Sequence, residues 1–368
     1  MADKILDFAE SQLQKELPFV LYRKPRQNLI NGIFQKAKTL SYVSDYRESG
    51  FVFAPFDSTN KPILIKTDVF LKGDISNLKK TDTFSESQVL HNSNDKAIHL
   101  NLVGKAVDKI KAGTFQKVVL SRKIQVPVKE SPFILLERLL TSYHNAFCYL
   151  WFHPKVGLWL GATPEILLMT KGGVLTTMSL AGTQTTDDYK KPVWGKKELQ
   201  EQQLVTDYIK DILKNKLNNL HVGELESIKA GQLWHLRTKI SGNYDVEELG
   251  NIIQSLHPTP AVCGMPKDIS KAFILEQENY DRKYYTGYLG ELNLKRERTR
   301  NRNLRNVENN AYKSVYKASE LYVNLRCMSL SNDMATIYVG GGITADSDPE
   351  KEWQETVNKS GTILKVLA

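Results

Sequence analysis

Residues 146–180 read Ala146-Phe-Cys-Tyr-Leu-Trp-Phe-His-Pro-Lys-Val-Gly-Leu-Trp-Leu-Gly-Ala-Thr-Pro-Glu-Ile-Leu-Leu-Met-Thr-Lys-Gly-Gly-Val-Leu-Thr-Thr-Met-Ser-Leu180. Four apolar, aromatic-rich runs follow one another: Ala146–Phe152, Val156–Gly161, Ile166–Met169 and Val174–Leu180. Gly172-Gly173 is a hairpin-turn signal between the last two. Strands this close must be antiparallel, because parallel neighbours need a crossover of about a dozen residues. This spacing argues against a βαβ parallel sheet. Pro164 breaks the ladder between the second and third runs.

Working outward, Phe133, Leu136, Leu139 and Leu140 mark a helix over 132–143. Before it, Lys117-Val-Val-Leu-Ser-Arg122 is a buried-looking strand, preceded by a helix over 97–112. Residues 76–94 are polar and read as a surface connection. Strands are expected at 19–22, 50–55 and 62–70, after an amphipathic helix over 1–16. Downstream, a helix over 195–217 carries Leu199, Leu204, Val205, Tyr208, Ile209 and Ile212. Then come strands near 224–229 and 233–241, a helix over 246–255 and the loop 256–266. A helix over 268–279 and strands at 284–294, 319–330 and 334–340 lead to a terminal helix. No internal repeat or linker interrupts this order. The expected fold is α+β, one large domain over 1–368, with layered antiparallel sheets inside and helices outside.

Composition narrows the class. The chain has 368 residues, a net charge of +9 and three cysteines, Cys148, Cys263 and Cys327. Three distant cysteines form no C-x-x-C site and suit a reducing cytoplasm. No run of about 18 apolar residues predicts a membrane span, and the charged start Met1–Glu10 lacks the apolar core of a signal peptide. Between 295 and 305, six cations less Glu297 supply +5, leaving +4 for the rest of the chain. Interleaved with Asn301, Asn303, Asn306, Asn309 and Asn310, this stretch reads as a mobile, solvated loop. A nucleic-acid-binding protein using it is the alternative from another class. The segment lacks interleaved aromatics and any recognisable module, so no nucleic-acid partner is expected. Nor does any exposed apolar helix demand a partner, and the chain is expected to be a monomer.

A second informative stretch is Tyr338-Val-Gly-Gly-Gly-Ile-Thr-Ala-Asp-Ser-Asp-Pro-Glu-Lys-Glu-Trp-Gln-Glu-Thr-Val-Asn-Lys359. A strand runs into three glycines and then a helix, with Ser347 and Glu350 spaced as a capping box and Pro349 in the first turn. Glu352, Glu355 and Lys359 share a stripe. Two carboxylates, a cation and a glycine wall suit a hard divalent metal beside an anionic ligand; the plainer reading is an exposed charged helix. Gly340-x-Gly342-x-x-Ala345 mimics a dinucleotide fingerprint, but no following parallel strand with its acidic residue remains.

Other residues gain meaning only in combination. Lys117 opens its strand; a buried amine there would have a lowered pKa and serve as a base. Glu165 sits in the Pro164 break, either in a turn or aimed into a cleft. Ala181-Gly-Thr183 is a small-residue strand end where a ligand could meet backbone N–H groups. Glu201 lies on the long helix, and His235 on an alternating strand is by default a satisfied core histidine.

In order, KVVLSR, GATPEILL, SLAGT, ELQEQQLVTDYI, LWHL, LHPTPAVCGMP, ENYDRKYYTGYLGEL, LYVNLRC and GGGITADSDPEKEWQETVNK resemble the chorismate-utilising enzymes: isochorismate, anthranilate, aminodeoxychorismate and salicylate synthases. The resemblance runs from Lys117 to Lys359 within a motif-bearing core over 96–368, with 1–95 completing the domain. It implies an anthranilate synthase component I-like domain and a Mg²⁺ held by Glu201 and Glu355, with Glu352 close by. The metal would hold the ring carboxylate of chorismate. Ala181, Gly182 and Thr183 would bind substrate, Arg326 would fork the pyruvyl carboxylate, Gly341 and Gly342 would offer N–H groups, and Lys359 would add positive charge. His235 joins Lys117 and Glu165 as the catalytic residues.

Family members that use ammonia usually carry glutamine in place of Lys117, and aminodeoxychorismate synthases carry lysine in place of Ala181. The resemblance is thus to the water-using branch, which forms isochorismate for menaquinone or siderophore synthesis. Lys117 would take a proton from water attacking C2, and Glu165 would protonate the departing C4 hydroxyl. Salicylate synthases, which go on to eliminate pyruvate, are the alternative within the family.

Overall fold

Strand alternation sends successive side chains of each strand into different cores. In the computed structural model, residues 2–78, 93–185, 192–230, 233–299, 313–331 and 333–367 are described. In chain order they form α1 (Ala2–Gln14), β1 (Phe19–Arg23), β2 (Leu29–Phe34), β3 (Ser41–Tyr42), β4 (Gly50–Ala54), β5 (Ile63–Lys66), β6 (Val69–Asp74), α2 (Ser93–Lys111), β7 (Lys117–Pro127), α3 (Pro132–Ser142), β8 (Phe147–His153) and β9 (Gly157–Thr163). Next come β10 (Ile166–Lys171), β11 (Val174–Thr185), α4 (Lys196–Leu213), β12 (Leu217–Ala230), β13 (Leu233–Tyr244), α5 (Leu249–Leu256), β14 (Gly264–Met265) and α6 (Lys267–Gln277). β15 (Tyr288–Thr299), β16 (Lys313–Val323), β17 (Cys327–Ser331), β18 (Met334–Ile343) and α7 (Pro349–Leu367) complete the fold.

Two nine-stranded sheets result, with orders β14-β7-β18-β17-β9-β8-β1-β2-β6 and β12-β13-β11-β10-β16-β15-β4-β5-β3. Every strand pair is antiparallel, as the spacing of residues 146–180 requires. Gly172 and Gly173, both at positive φ, turn the β10–β11 hairpin. On β1, Phe19 and Leu21 pack toward α1 and α3, while Val20 and Tyr22 enter the layer between the sheets. On β8, Cys148 and Leu150 face outward and Phe147, Tyr149 and Trp151 face inward. The second sheet buries its outer face under α4 and α5. The layers are therefore helix, sheet, sheet, helix. No helix among the described residues is long and apolar enough to cross a membrane.

Aromatic rings hold the sheets together. Phe53 lies 4.3 Å from Tyr284 and 4.7 Å from Trp151, ring centre to ring centre, with no exposed surface. Phe53→Ala is expected to lower stability by about 3–5 kcal/mol. Equilibrium denaturation would read the change, and a loss below about 1 kcal/mol would contradict a central packing role.

Two neighbouring crossovers carry the chain between sheets. β9 belongs to the first sheet and β10 to the second, so Pro164-Glu165 bridges them; β16 returns to β17 through Asn324-Leu325-Arg326. They are tied together: Ala162 N–H donates to Arg326 O (3.1 Å), Val323 N–H to Glu165 O (3.0 Å) and Thr163 Oγ1 to Val323 O (2.6 Å).

Several expectations need correction. The stretch 62–70 is two strands, β5 and β6, in different sheets. β2 was not expected, β12 is longer than 224–229, and β15 begins at Tyr288 rather than 284. Lys295–Thr299 belong to β15 and not to a loop, because they pair with Lys313–Lys317 of β16; Arg296 also pairs with buried Glu291, which holds Lys24 at 2.7 Å. Residues 300–312 of the basic stretch lie outside the described residues. The Ser347–Glu350 capping box does not form: Asp348 Oδ1 accepts from Lys351 N–H (3.0 Å) as the cap, with Pro349 opening the helix. Ser347 instead accepts from Thr344 N–H (3.1 Å) and donates to Glu352 Oε1 (2.6 Å).

Candidate active site

The crossovers open onto a cavity of about 180 Å³ between the sheets. β7 contributes Lys117 and Val119, and β18 contributes Tyr338 to Gly342. Leu180, Ala181 and Gly182 come from β11, and His235 from β13. Glu165 and Arg326 enter from the crossovers, and Glu355, Lys359 and Ile363 from α7. Ten of the sequence-derived site residues thus meet on one wall or another: Lys117, Glu165, Ala181, Gly182, His235, Arg326, Gly341, Gly342, Glu355 and Lys359. Glu201 and Glu352 are not among the lining residues. The side chain of Thr183 lies outside the described residues.

Burial sets the chemistry of the lysine and the acid. Lys117 is 9% exposed, and loss of solvation pulls its pKa below the usual ammonium value. Glu201, the strongest nearby charge, opposes that shift, while Lys359 adds to it. Glu165 is 8% exposed, and burial raises its pKa to about 7 against the pull of Lys117, Arg326 and Lys359. Burial, with Arg326 and Lys359 adding, lowers His235 to about 4, so its ring is neutral at pH 7; a hydrogen bond to the Gly182 backbone opposes the shift. Arg326 holds a left-handed backbone at φ 48°, uncommon for a residue with a side chain, where β16 turns into β17.

Strand register decides which glycine N–H groups face the cavity. Val119 N–H donates to Cys263 O (2.8 Å), so odd positions at the start of β7 turn away from β18. Leu120, opposite Gly341, therefore ladders with it. The expected N–H of Gly341 is used in this pairing, and Gly342 has the outward parity. Gly340 shares that parity, and its carbonyl accepts from Lys359 Nζ at 3.1 Å. A similar correction applies at β11, where Ala181 N–H donates to Gln202 Oε1 (2.9 Å) and not to open space. Gln202, buried on α4, also donates to Ser179 Oγ (2.8 Å) and fixes this wall.

Gly341 serves the site in another way. A Cβ there would lie 3.3 Å from Glu352 Oε2 and 3.8 Å from Glu355 Oε1, so two carboxylates converge on the space it leaves. Lys359 Nζ is 2.6 Å from Glu355 Oε1. Among the described residues no three Asp, Glu, His or Cys side chains form a complete metal cage. A sparse set of hard oxygens suits Mg²⁺, which keeps several waters and takes one or two carboxylates. Two converging carboxylates, Glu352 and Glu355, suit such a sparse set.

Sequence reasoning missed Tyr285 and Thr286, which also line the cavity, as do Ala261 and Val262 of the loop 256–266. Both lie inside ENYDRKYYTGYLGEL, so the segment was visible but their direction was not. Leu236, next to His235 on β13, is buried and is not among the lining residues.

Comparison with known proteins gives a consistent result. A model of the chorismate binding enzymes matches residues 59–298, and a second of the same description matches 311–365. Isochorismate synthase EntC of Escherichia coli K12 is 31% identical over 265 residues, 68% of this chain and 62% of EntC. Isochorismate synthase DhbC of Bacillus subtilis 168 is 29% identical over 289 residues, 73% of this chain and 67% of DhbC. The match therefore spans less than two thirds of EntC. A Bacillus anthracis structure assigned as a 2,3-dihydroxybenzoate-specific isochorismate synthase, DhbC, superposes with a TM-score of 0.78 at 23% identity, covering 100% of this chain and 99% of that one. At that identity the likeness speaks for the fold.

Proposed function

Because the chain belongs to the chorismate binding enzyme family, we propose that it is an isomerase converting chorismate to isochorismate, adding water at ring C2 and releasing the C4 hydroxyl. The observation that carries this reading is a buried amine and a buried carboxyl in one cavity, with pKa values displaced toward each other. Each is thereby brought nearer the form that its step needs. Neutral Lys117 takes a proton from the water that bonds to C2. Protonated Glu165 gives its proton to the C4 oxygen, which leaves as water. One water enters and one leaves, and the lysine and carboxylate return to their starting forms by exchange with solvent.

Arg326 places its fork to pair with the enolpyruvyl carboxylate. Gly342 supplies the backbone N–H beside it. Neutral His235 orients substrate as a hydrogen-bonding group without adding charge. A bound Mg²⁺ would hold the ring carboxylate and offset its charge. Glu201 and Glu355 are the residues to hold that ion, with Glu352 close by and its carboxylate fixed by Ser347.

Incubated with chorismate and Mg²⁺ alone, the protein is expected to form isochorismate with little salicylate or pyruvate. Chromatography, with lactate dehydrogenase to detect pyruvate, tests this. Stoichiometric pyruvate would move the chain to the salicylate-forming branch, and no turnover of chorismate would remove the reading.

A further inference from the structure

The segment Glu278-Asn-Tyr-Asp-Arg282 takes no part in the steps above, yet its ends form a deeply buried ion pair, with 2% of the Arg282 side chain and 1% of the Glu278 side chain exposed. The reason lies at the edge of the first sheet. β14 covers β7 for two residues only, Gly264 opposite Val118 and Met265 opposite Lys117. Beyond it, Val119 C=O and Ser121 N–H point outward, with no strand among the described residues to meet them. Arg282 Nη2 donates to Val119 O at 2.7 Å, and Glu278 Oε1 accepts from Ser121 N–H at 2.7 Å. A guanidinium on the carbonyl and a carboxylate on the N–H supply what the next peptide unit would. Arg282 Nη1 also donates to Val262 O (3.2 Å) and Thr286 Oγ1 (3.3 Å). Val119, Val262 and Thr286 all line the cavity, whereas Arg282 and Glu278 do not.

We propose that the Glu278–Arg282 pair is the positioning element for Lys117, standing in for a missing strand beside β7 and locking it to two other cavity walls. This rests on the reading of Lys117 as the base. The fork geometry matters, since one planar group reaches three acceptors on three segments and a lysine cannot.

Arg282→Lys is the first test. Displacing a catalytic group by about 1 Å can cost roughly 10²-fold, so kcat is expected to fall by about 10–100-fold. KM for chorismate should stay within about threefold, because Arg326 and Gly342 are untouched. In a Lys117→Ala background, Arg282→Lys should cost less than about twofold more, since the group it positions is gone. Glu278→Gln, isosteric and still able to accept from Ser121, should show the same pattern more weakly. Wild-type kcat in both variants would overturn the proposal, as would equal losses with and without Lys117. Failure of both to fold would assign the pair to the fold and also overturn it. Wild-type protein making no isochorismate, or Lys117→Ala at full activity, would instead sink the functional reading.

Discussion

Lys117→Ala is expected to lower kcat by roughly 10²–10⁴, the usual worth of a general base, with much smaller change in chorismate binding. Glu165→Gln should cost a similar factor. The pH profiles give a sharper signature. The proposed mechanism requires neutral Lys117 with protonated Glu165, so the wild-type profile should fall on both sides of a maximum. Burial raises Glu165 to about 7, and its proton is lost as pH rises through that value. Burial lowers Lys117, so its neutral form grows in from a lower pH than for a solvated lysine. Without Glu165 the fall at high pH should disappear; without Lys117 the fall at low pH should disappear. The wild-type midpoints belong to the coupled pair and to neither residue alone. A Lys117→Ala protein within a few-fold of wild type would end the water-activation mechanism.

Removal of divalent metal with EDTA is expected to abolish most turnover, and Mg²⁺ should restore it. Glu355→Gln and Glu201→Gln should each lose at least the roughly 10–100-fold in metal affinity that even an outer-shell change costs. Both should remain folded, because Glu355 is partly exposed and Glu201 is not a core residue. Calorimetric titration with Mg²⁺ separates lost affinity from lost chemistry. Full activity after EDTA treatment would remove the metal assignment.

The sequence was readable where its signals were local. The hairpins of residues 146–180 show through short connections and the Gly172-Gly173 turn, and these sufficed for antiparallel sheets. What could not be read was sheet membership. β1 and β8 bury both faces, so their side chains make one apolar run although alternate residues enter different cores. The Pro164 break was visible, but not that the chain changes sheets there. β2 was missed because Asn31 and Gly32 interrupt its apolar run, yet Asn31 is buried in the fold. At the start of α7 the spacing of Ser347 and Glu350 suggested the cap, and Asp348 was overlooked. The helix takes Asp348 because Ser347 is engaged by Glu352, a contact five residues away that spacing rules do not describe. At the site, residue types were legible through the ordered motifs, whereas backbone direction at Gly341 and Ala181 depended on neighbouring elements.

The paired crossovers divide this site into parts that can and cannot vary separately. Glu165 and Arg326 sit on two short bridges that hydrogen-bond to each other, so moving either disturbs its partner and the register of both sheets. Lys117 and Ala181 stand on strands of opposite sheets, away from those bridges. A change at either side chain leaves the hydrogen bonds between the bridges in place. On the proposed reading, such a frame would let the base at 117 or the small residue at 181 change by single substitution while the acid and the carboxylate anchor stay in place. New chemistry at 117 or 181 would then arise on an already folded, already binding ancestor.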